Sequence, residues 1–529
     1  MPATWPKDVA RKADTAPWMS RALLALWLLS SPVLCLIYLK VEPSPDQAQF
    51  DYMAFMATKG MAYYRDSFDM NWPGAMLLHE AAVRLFGPTA WSWHLLDFCL
   101  AQGAAIASAV FLRRAGFRLA PFLALALYPA LYVTAGAWMA GQRDIIAMGV
   151  LIVACAAMLA PRRREARAMV VAGALVACAV LIRPTYLSVL AGLMILEALP
   201  EGSFRPPRRQ RLVLRLTALA GGFAAVIAGI LVWALWVGNL QDWYQQSVVF
   251  TTQAYYSTPP QDLTRTLQTT FLQSWHWMTL GAATGLACWL RRARGVEYPL
   301  ILLIGLGCAI LLSFYVQNKG FGYHLGGFIP LLTMLTAVAL DQLFTWSRSP
   351  DRPLSGWLAT GAAAILALLV LIGTAAKLSS YAELLADLRH NGVAPVTGNF
   401  GIPAADQERM IEMIRTGSQT DDRVAGYGTA YQIPYLAQRL PPHRFITPAI
   451  EEMTPEFPLY STWLAEIREG LHAHPPAFVL ITGAEVSPSG EVALSDGRPA
   501  LAELVAFMGT DYLPRITGSY GALFQRKSP

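Results

Sequence analysis

The chain has 529 residues, 55% of them hydrophobic and only 14% charged, with a mean hydropathy of +0.39 and a formal net charge of +6. Soluble domains carry about 25% charged residues, so a deficit of this size over so long a chain excludes an ordinary water-exposed surface. The basic excess does not describe a polyanion groove, because Lys and Arg sit in short clusters between apolar runs, and no nucleic-acid partner is expected.

Residues 1–16 are polar, and the apolar run 17–39 that follows is too long for the hydrophobic region of a signal peptide and lacks a small-residue cleavage site. It reads as a retained first span. A crossing helix needs roughly 20 apolar residues, and further runs at 89–112, 119–140, 145–160, 168–182, 186–199, 214–237, 273–290, 298–316, 325–344 and 356–378 predict about eleven in all. Basic clusters fall on alternate connections: Lys7, Arg11 and Lys12; Arg113, Arg114 and Arg118; Arg162, Arg163, Arg164 and Arg167; Arg205, Arg208, Arg209 and Arg211; Arg291, Arg292 and Arg294; Arg348 and Arg352. The positive-inside tendency then keeps 1–16 cytoplasmic and puts loops 40–88, 141–144, 183–185, 238–272 and 317–324 outside, together with residues 379–529.

Four outer-face segments carry the polar chemistry. Loop 40–88 holds Asp46, Asp51, Asp66 and Asp69. Its stretch 47–58 reads as a helix with Phe50, Met53, Ala54 and Ala57 on one face, and 75–86 as a second amphipathic helix, both suited to lying at the membrane surface. Any one of these acids could equally solvate the loop or cap a helix, Asp46 as an N-cap. The connection Gly141-Gln142-Arg143-Asp144 carries an Arg-Asp pair that costs little if exposed. Arg183-Pro184-Thr185-Tyr186 interrupts an apolar stretch with a cation suited to a lipid phosphate, or is a plain helix-end turn. Residues 315–324 crowd Lys319, Tyr323 and His324 into a tight outer loop against the positive-inside trend.

Beyond Leu378 the composition turns charged and rich in turn residues. Strand-like runs at 423–427 and 477–482 alternate with helical ones at 404–416, 460–472 and 500–508, predicting a soluble α/β domain of about 150 residues. The six cysteines (Cys35, Cys99, Cys155, Cys178, Cys288, Cys308) lie in apolar runs without metal spacing, so neither a disulfide nor a metal site is expected from them.

These segments resemble the GT-C membrane glycosyltransferases, in particular the bacterial relatives of protein O-mannosyltransferases and aminoarabinose transferases, which use polyprenyl-phosphate sugars. The family's first outer loop is matched in order by Asp46-Gln47, Phe50, Gly60, Tyr64-Arg65-Asp66-Ser67-Phe68-Asp69, Pro73-Gly74 and Leu85-Phe86-Gly87. Gln142-Arg143-Asp144, Arg183-Pro184 and Lys319-Gly320-Phe321 with Tyr323-His324 are similar to segments of one branch. Asp421-Asp422-Arg423-Val424 through Tyr435, His443-Arg444-Phe445 and Pro475-Pro476 resemble its periplasmic domain. The resemblance implies a multi-pass protein of the bacterial inner membrane and an inverting transfer of a hexose or pentose from a polyprenyl phosphate to a lipid, glycan or protein acceptor. Asp46 would be the catalytic base. Arg183, Lys319 and His324 would hold the donor phosphate, and Tyr64, Asp66, Asp69, Arg143, Asp144 and Tyr323 would line the substrate pocket, with no cofactor required and a divalent metal left open. Gln47 departs from the family's usual Glu. A surface-polysaccharide polymerase or ligase is the nearest alternative. A transporter or flippase is disfavoured by the lack of repeats and by acids placed in loops rather than mid-membrane.

Overall fold

The computed structural model describes residues 17–160, 165–198, 209–257, 261–293, 297–348, 353–379, 381, 400, 402–494 and 497–527. The basic residues expected at 1–16 and at 162–164, 205, 208, 294 and 352 lie outside them, as do the side chains of Arg209 and Arg211. In chain order the helices are α1 (Pro17–Leu39), α2 (Pro45–Thr58), α3 (Pro73–Phe86), α4 (Ser92–Arg114), α5 (Ala120–Val133), α6 (Arg143–Met158), α7 (Glu165–Ile182), α8 (Leu187–Ala198) and α9 (Arg209–Val237). They continue with α10 (Leu240–Tyr244), α11 (Thr251–Gln253), α12 (Leu263–Gln268), α13 (His276–Ala293), α14 (Tyr298–Gln317), α15 (Phe328–Ser347) and α16 (Pro353–Ser379). Four strands follow: β1 (Val424–Tyr427), β2 (Phe478–Thr482), β3 (Tyr512–Gly518) and β4 (Gly521–Arg526). The chain divides into two compact units, one built from 1–38, 97–227 and 261–390, the other from 39–96, 228–260 and 391–529.

The first unit is the membrane part. Among the described residues seven helices are long and apolar enough to cross a bilayer: α1, α4, α7, α9, α14, α15 and α16. The chain is a multi-pass membrane protein, with α5, α6, α8 and α13 shorter or less apolar than those seven. Large aliphatic side chains stand outward, Leu29 at 75% exposure and Leu371 at 65%, as a lipid-facing surface requires. Helices α7 and α9 approach through a reciprocal glycine pair: a Cβ on Gly173 would strike the Leu219 carbonyl, and one on Gly222 the Val170 carbonyl. Asp341 of α15 accepts the N–H groups of Arg118, Leu119 and Ala120 at 3.2, 3.3 and 3.2 Å and so caps α5. Deeper in the unit, Asp97 receives the hydroxyls of Tyr132, at 2.5 Å, and Tyr38.

Three expectations are corrected here. The run 119–140 is helical only to Val133, because Gly136 and Gly141 take positive φ (101° and 65°) and turn the chain. The connection 141–144 is not an open loop: α6 starts at Arg143, and both Arg143 and Asp144 are buried. The connection 238–272, expected as a loop, is largely helical, passing through α10 to α12 and two π-helical turns at 245–250 and 269–274.

The second unit surrounds a four-stranded sheet of order β1-β2-β4-β3, in which β1 and β2 run parallel and the other pairs antiparallel. Helices Ala404–Gly417, Gln432–Ala437, Tyr460–Ala473 and Pro499–Met508 accompany it. Its aromatic core centres on Phe68, whose ring lies 5.1 Å from Phe250, 5.5 Å from Phe445 and 5.2 Å from Trp463. Loop 40–88 thus supplies core residues to the sheet unit. Helix α2 is buried almost all round, from Gln47 to Met56 apart from Gln49, rather than presenting one apolar face to a membrane surface. Helix α3 keeps the amphipathic form, with Leu85 68% exposed.

Candidate functional site

In the sheet unit the chain reaches Asp46 through a built turn. Ser44 is the N-cap of α2, its hydroxyl accepting from the Gln47 N–H while Gln47 Oε1 takes the Ser44 N–H at 3.2 Å. Pro45 fills the first helical position, where its missing N–H is not needed. Asp46 is therefore not the cap: it stands free of that duty in the first turn, where the helix dipole favours a carboxylate. The Gln at 47, which departs from the family pattern, closes the capping box.

Asp69 is buried and held on three sides: Gln49 Nε2 donates to it at 2.6 Å, the Asn71 N–H donates at 2.6 Å, and its own N–H donates to Gln246 Oε1 at 2.9 Å. Burial pushes the Tyr431 hydroxyl well above the usual tyrosine range, and the fields of Asp46 and Asp69 push it further. Both carboxylates thus act on one buried phenol. Tyr64, at φ 66°, donates its hydroxyl to the Asn71 carbonyl at 2.8 Å and stacks on Trp243 at 5.8 Å, so it holds the 64–71 turn. Asp66 belongs to the same turn, accepting the Ala62 N–H at 2.7 Å and pairing with Arg65 at 2.8 Å. Although burial opposes it, these partners hold its carboxyl below the ordinary range.

In the membrane unit, three segments from distant parts of the sequence come together. Arg183 Nε donates to Asp144 Oδ1 at 3.0 Å, and the same guanidinium bonds the Gln317 amide oxygen. Gln317 in turn donates to Ser313 Oγ at 2.8 Å, and Ser313 meets Thr185 Oγ1 at 2.6 Å. Asp144 pairs with Arg183, and the charge of Arg143 also acts on that carboxylate. Burial drives the His324 imidazole well below its usual range, and the charges of Arg183 and Arg143 drive it further, so it is neutral at physiological pH with Nδ1 shut away from solvent. Arg143, Arg183 and Asp144 bring two guanidinium groups and one carboxylate into a buried polar setting, and guanidinium groups are suited to binding an anion. Lys319 is buried in the same loop as His324, its carbonyl accepting the Gln261 N–H at 3.2 Å. Tyr323 sits in a three-ring stack, 5.8 Å from Trp138 and 5.4 Å from Phe321.

Sequence reasoning missed Gln246 and Tyr431, which contact or sense the acids from other segments, and the buried Asp51–His79 pair (2.7 Å) under a stacked Trp93. No motif marks them, because each acts through a tertiary neighbour. Among the described residues no group of three or more His, Cys, Asp or Glu is arranged to hold a metal ion.

No family model and no curated protein matches the chain. Among solved structures it is similar to ArnT from Cupriavidus metallidurans bound to undecaprenyl phosphate, with 14% identity, a TM-score of 0.58, and coverage of 95% of this chain and 97% of that one. The apo state of the same protein gives 15% identity, a TM-score of 0.57, and coverage of 95% and 98%. The Archaeoglobus fulgidus oligosaccharyltransferase is found at 12% identity and a TM-score of 0.48, over 87% and 69%. The likeness to ArnT shows the fold: this chain has the GT-C fold of a multi-pass membrane protein with a small C-terminal sheet domain.

Proposed function

We propose that the chain is an inverting glycosyltransferase that moves a sugar from a polyprenyl phosphate to an acceptor hydroxyl on the periplasmic face of the bacterial inner membrane. The observation that carries this reading is the convergence of Arg143, Asp144, Arg183 and His324 from three remote segments into one buried cluster that holds two guanidinium groups. A structural ion pair alone needs no second arginine and no neutral imidazole beside it.

In the proposed step the acceptor oxygen attacks the anomeric carbon as the bond from that carbon to the phosphate oxygen breaks, giving inversion. The proton passes to the Asp46 carboxylate and the polyprenyl phosphate leaves as an anion. Arg183 and Arg143, with Lys319, bind that anion, and neutral His324 donates a hydrogen bond to it. Asp69 and Tyr431 shape the field around the base, while Asp66, Tyr64, Asp144 and Tyr323 hold turns, charges and rings in place. The sugar, hexose or pentose, and the acceptor, lipid, glycan or protein, belong to the same proposal, and membrane lipids supply the setting for the polyprenyl tail.

The test is turnover of a radiolabelled polyprenyl-phosphate sugar by the full chain in nanodiscs. Asp46→Asn lowers transfer by about 10²–10⁴-fold, the size of a general-base contribution, with unfolding temperature unchanged. Wild-type turnover in that variant overturns the mechanism.

A further inference from the structure

The sheet unit contains a cavity of about 470 Å³ that none of the assignments above uses. It lies where ligands collect in sheets with parallel strands, outside the carboxyl ends of a parallel pair. Thr482 ends β2, and Thr429 and Ala430 follow β1 by two and three residues. Ser519 and Tyr520, the two-residue turn between β3 and β4, also line it. Pro43 and Pro45, the residues on either side of the Ser44 cap, complete it, so the wall ends one residue from Asp46.

The floor is fixed. Thr482 Oγ1 receives the Thr429 N–H at 3.2 Å and donates to the Tyr427 carbonyl at 3.2 Å, tying the two strand ends together. Gly428, at φ 100°, is required there because a Cβ would strike Thr482. The lining chemistry is selective. Thr429, Gln432 and Ser519 offer hydroxyl or amide groups, and Phe400 and Tyr520 offer ring faces. The Tyr520 hydroxyl is bonded to Asp406, which fixes its ring. Among the described residues Glu485 is the one charged residue of the lining, and none of them is a cation. A phosphate-bearing group is repelled by that charge and meets no cation among the described lining residues. A lipid tail would strand the polar groups. A sugar ring matches both halves, apolar C–H faces against the rings and hydroxyls against the amide, the hydroxyls and the carboxylate. The volume is within the range of roughly 300–1,000 Å³ common to small-molecule sites.

We infer that this cavity binds a neutral saccharide and is the acceptor subsite, delivering a glycan hydroxyl to Asp46. The inference rests on the transfer reading above and names its acceptor class.

Saturation-transfer NMR on the full chain in detergent tests it, with chitobiose and maltose as neutral probes and with inorganic phosphate and acetyl-Ala-Ser-Thr-Ala-amide as the competing classes. Saccharide binding is expected. Thr429→Trp, at an exposed wall position, weakens it about tenfold or more by filling the space, and Glu485→Gln weakens it about three- to tenfold by removing a charged acceptor. Binding of phosphate or peptide in place of the saccharides, no saccharide binding to the wild type, or saccharide binding untouched in both variants overturns the inference. The outcomes separate the two readings. A dead Asp46→Asn variant that still binds chitobiose supports both, whereas an Asp46→Asn variant with wild-type turnover removes the transfer mechanism and leaves a saccharide site.

Discussion

Arg183 neutralises Asp144, and in the proposed reaction it also binds the leaving anion. Removing it leaves a buried carboxylate with its main counter-charge gone, at a cost of about 3–5 kcal/mol. Arg183→Ala should therefore lower the unfolding temperature as well as transfer. The pair Arg183→Met with Asp144→Leu should recover most of the stability and none of the activity, which thermal unfolding and donor turnover measure side by side. An active double variant would show that the guanidinium is structural only. His443 makes a second residue-scale prediction. Burial pushes its imidazole down to about 4, while an unfolded histidine titrates near 6.5. The unfolded chain thus takes the proton first, so stability is full above about pH 6.5 and falls as pH drops towards 4, by roughly 1–3 kcal/mol from this site. Asp51, whose carboxyl burial raises despite His79, acts with the opposite sign. His443→Gln should flatten the acid limb of the unfolding temperature against pH. The cation segments around Arg143, Arg183 and His324 were legible because a charge inside an apolar run stands out. Their pairing was not, because the arginine that meets Asp144 is Arg183, 39 residues away in sequence.

At the scale of elements, the start of α2 decides where the proposed base points. Ser44→Ala removes the cap and should cost about 1 kcal/mol, seen as a lower unfolding temperature, with transfer reduced because Asp46 rides on that turn. Gln47→Glu keeps the capping box in its commoner form, and should leave both stability and transfer within about threefold of wild type. A large loss in that variant would mean that the neutral side chain has a role beyond closing the cap. Periodicity located α2 and α3 to within two residues, yet gave the wrong surroundings for α2. An apolar stripe says which face must be covered, not that the remaining faces are left bare. The hairpin β3–β4 was invisible for a different reason. Pro514 interrupts the strand pattern beside a register shift, and the turn Ser519-Tyr520 lacks the Asn-Gly signal of tight hairpins. The strand itself survives because β3 is an edge strand, where a missing donor costs no ladder bond.

For the molecule as a whole, composition alone was enough to identify a membrane protein, and the ArnT-like fold agrees with that reading. What composition could not reveal is that one compact unit is stitched from three separated stretches, since the change after Leu378 looks like an ordinary domain boundary. The Phe68, Phe250 and Trp463 rings make the point, each from a different stretch and each within 5.8 Å of the next. That arrangement bears on biogenesis. Phe68 and Phe250 must wait, unburied, while the ribosome makes more than two hundred further residues to reach Trp463, so the unfinished chain exposes apolar rings that invite misassembly. A recombinant piece covering only 391–529 would be missing two of the three rings, and should show dye-binding and broad near-ultraviolet dichroism rather than a cooperative melt.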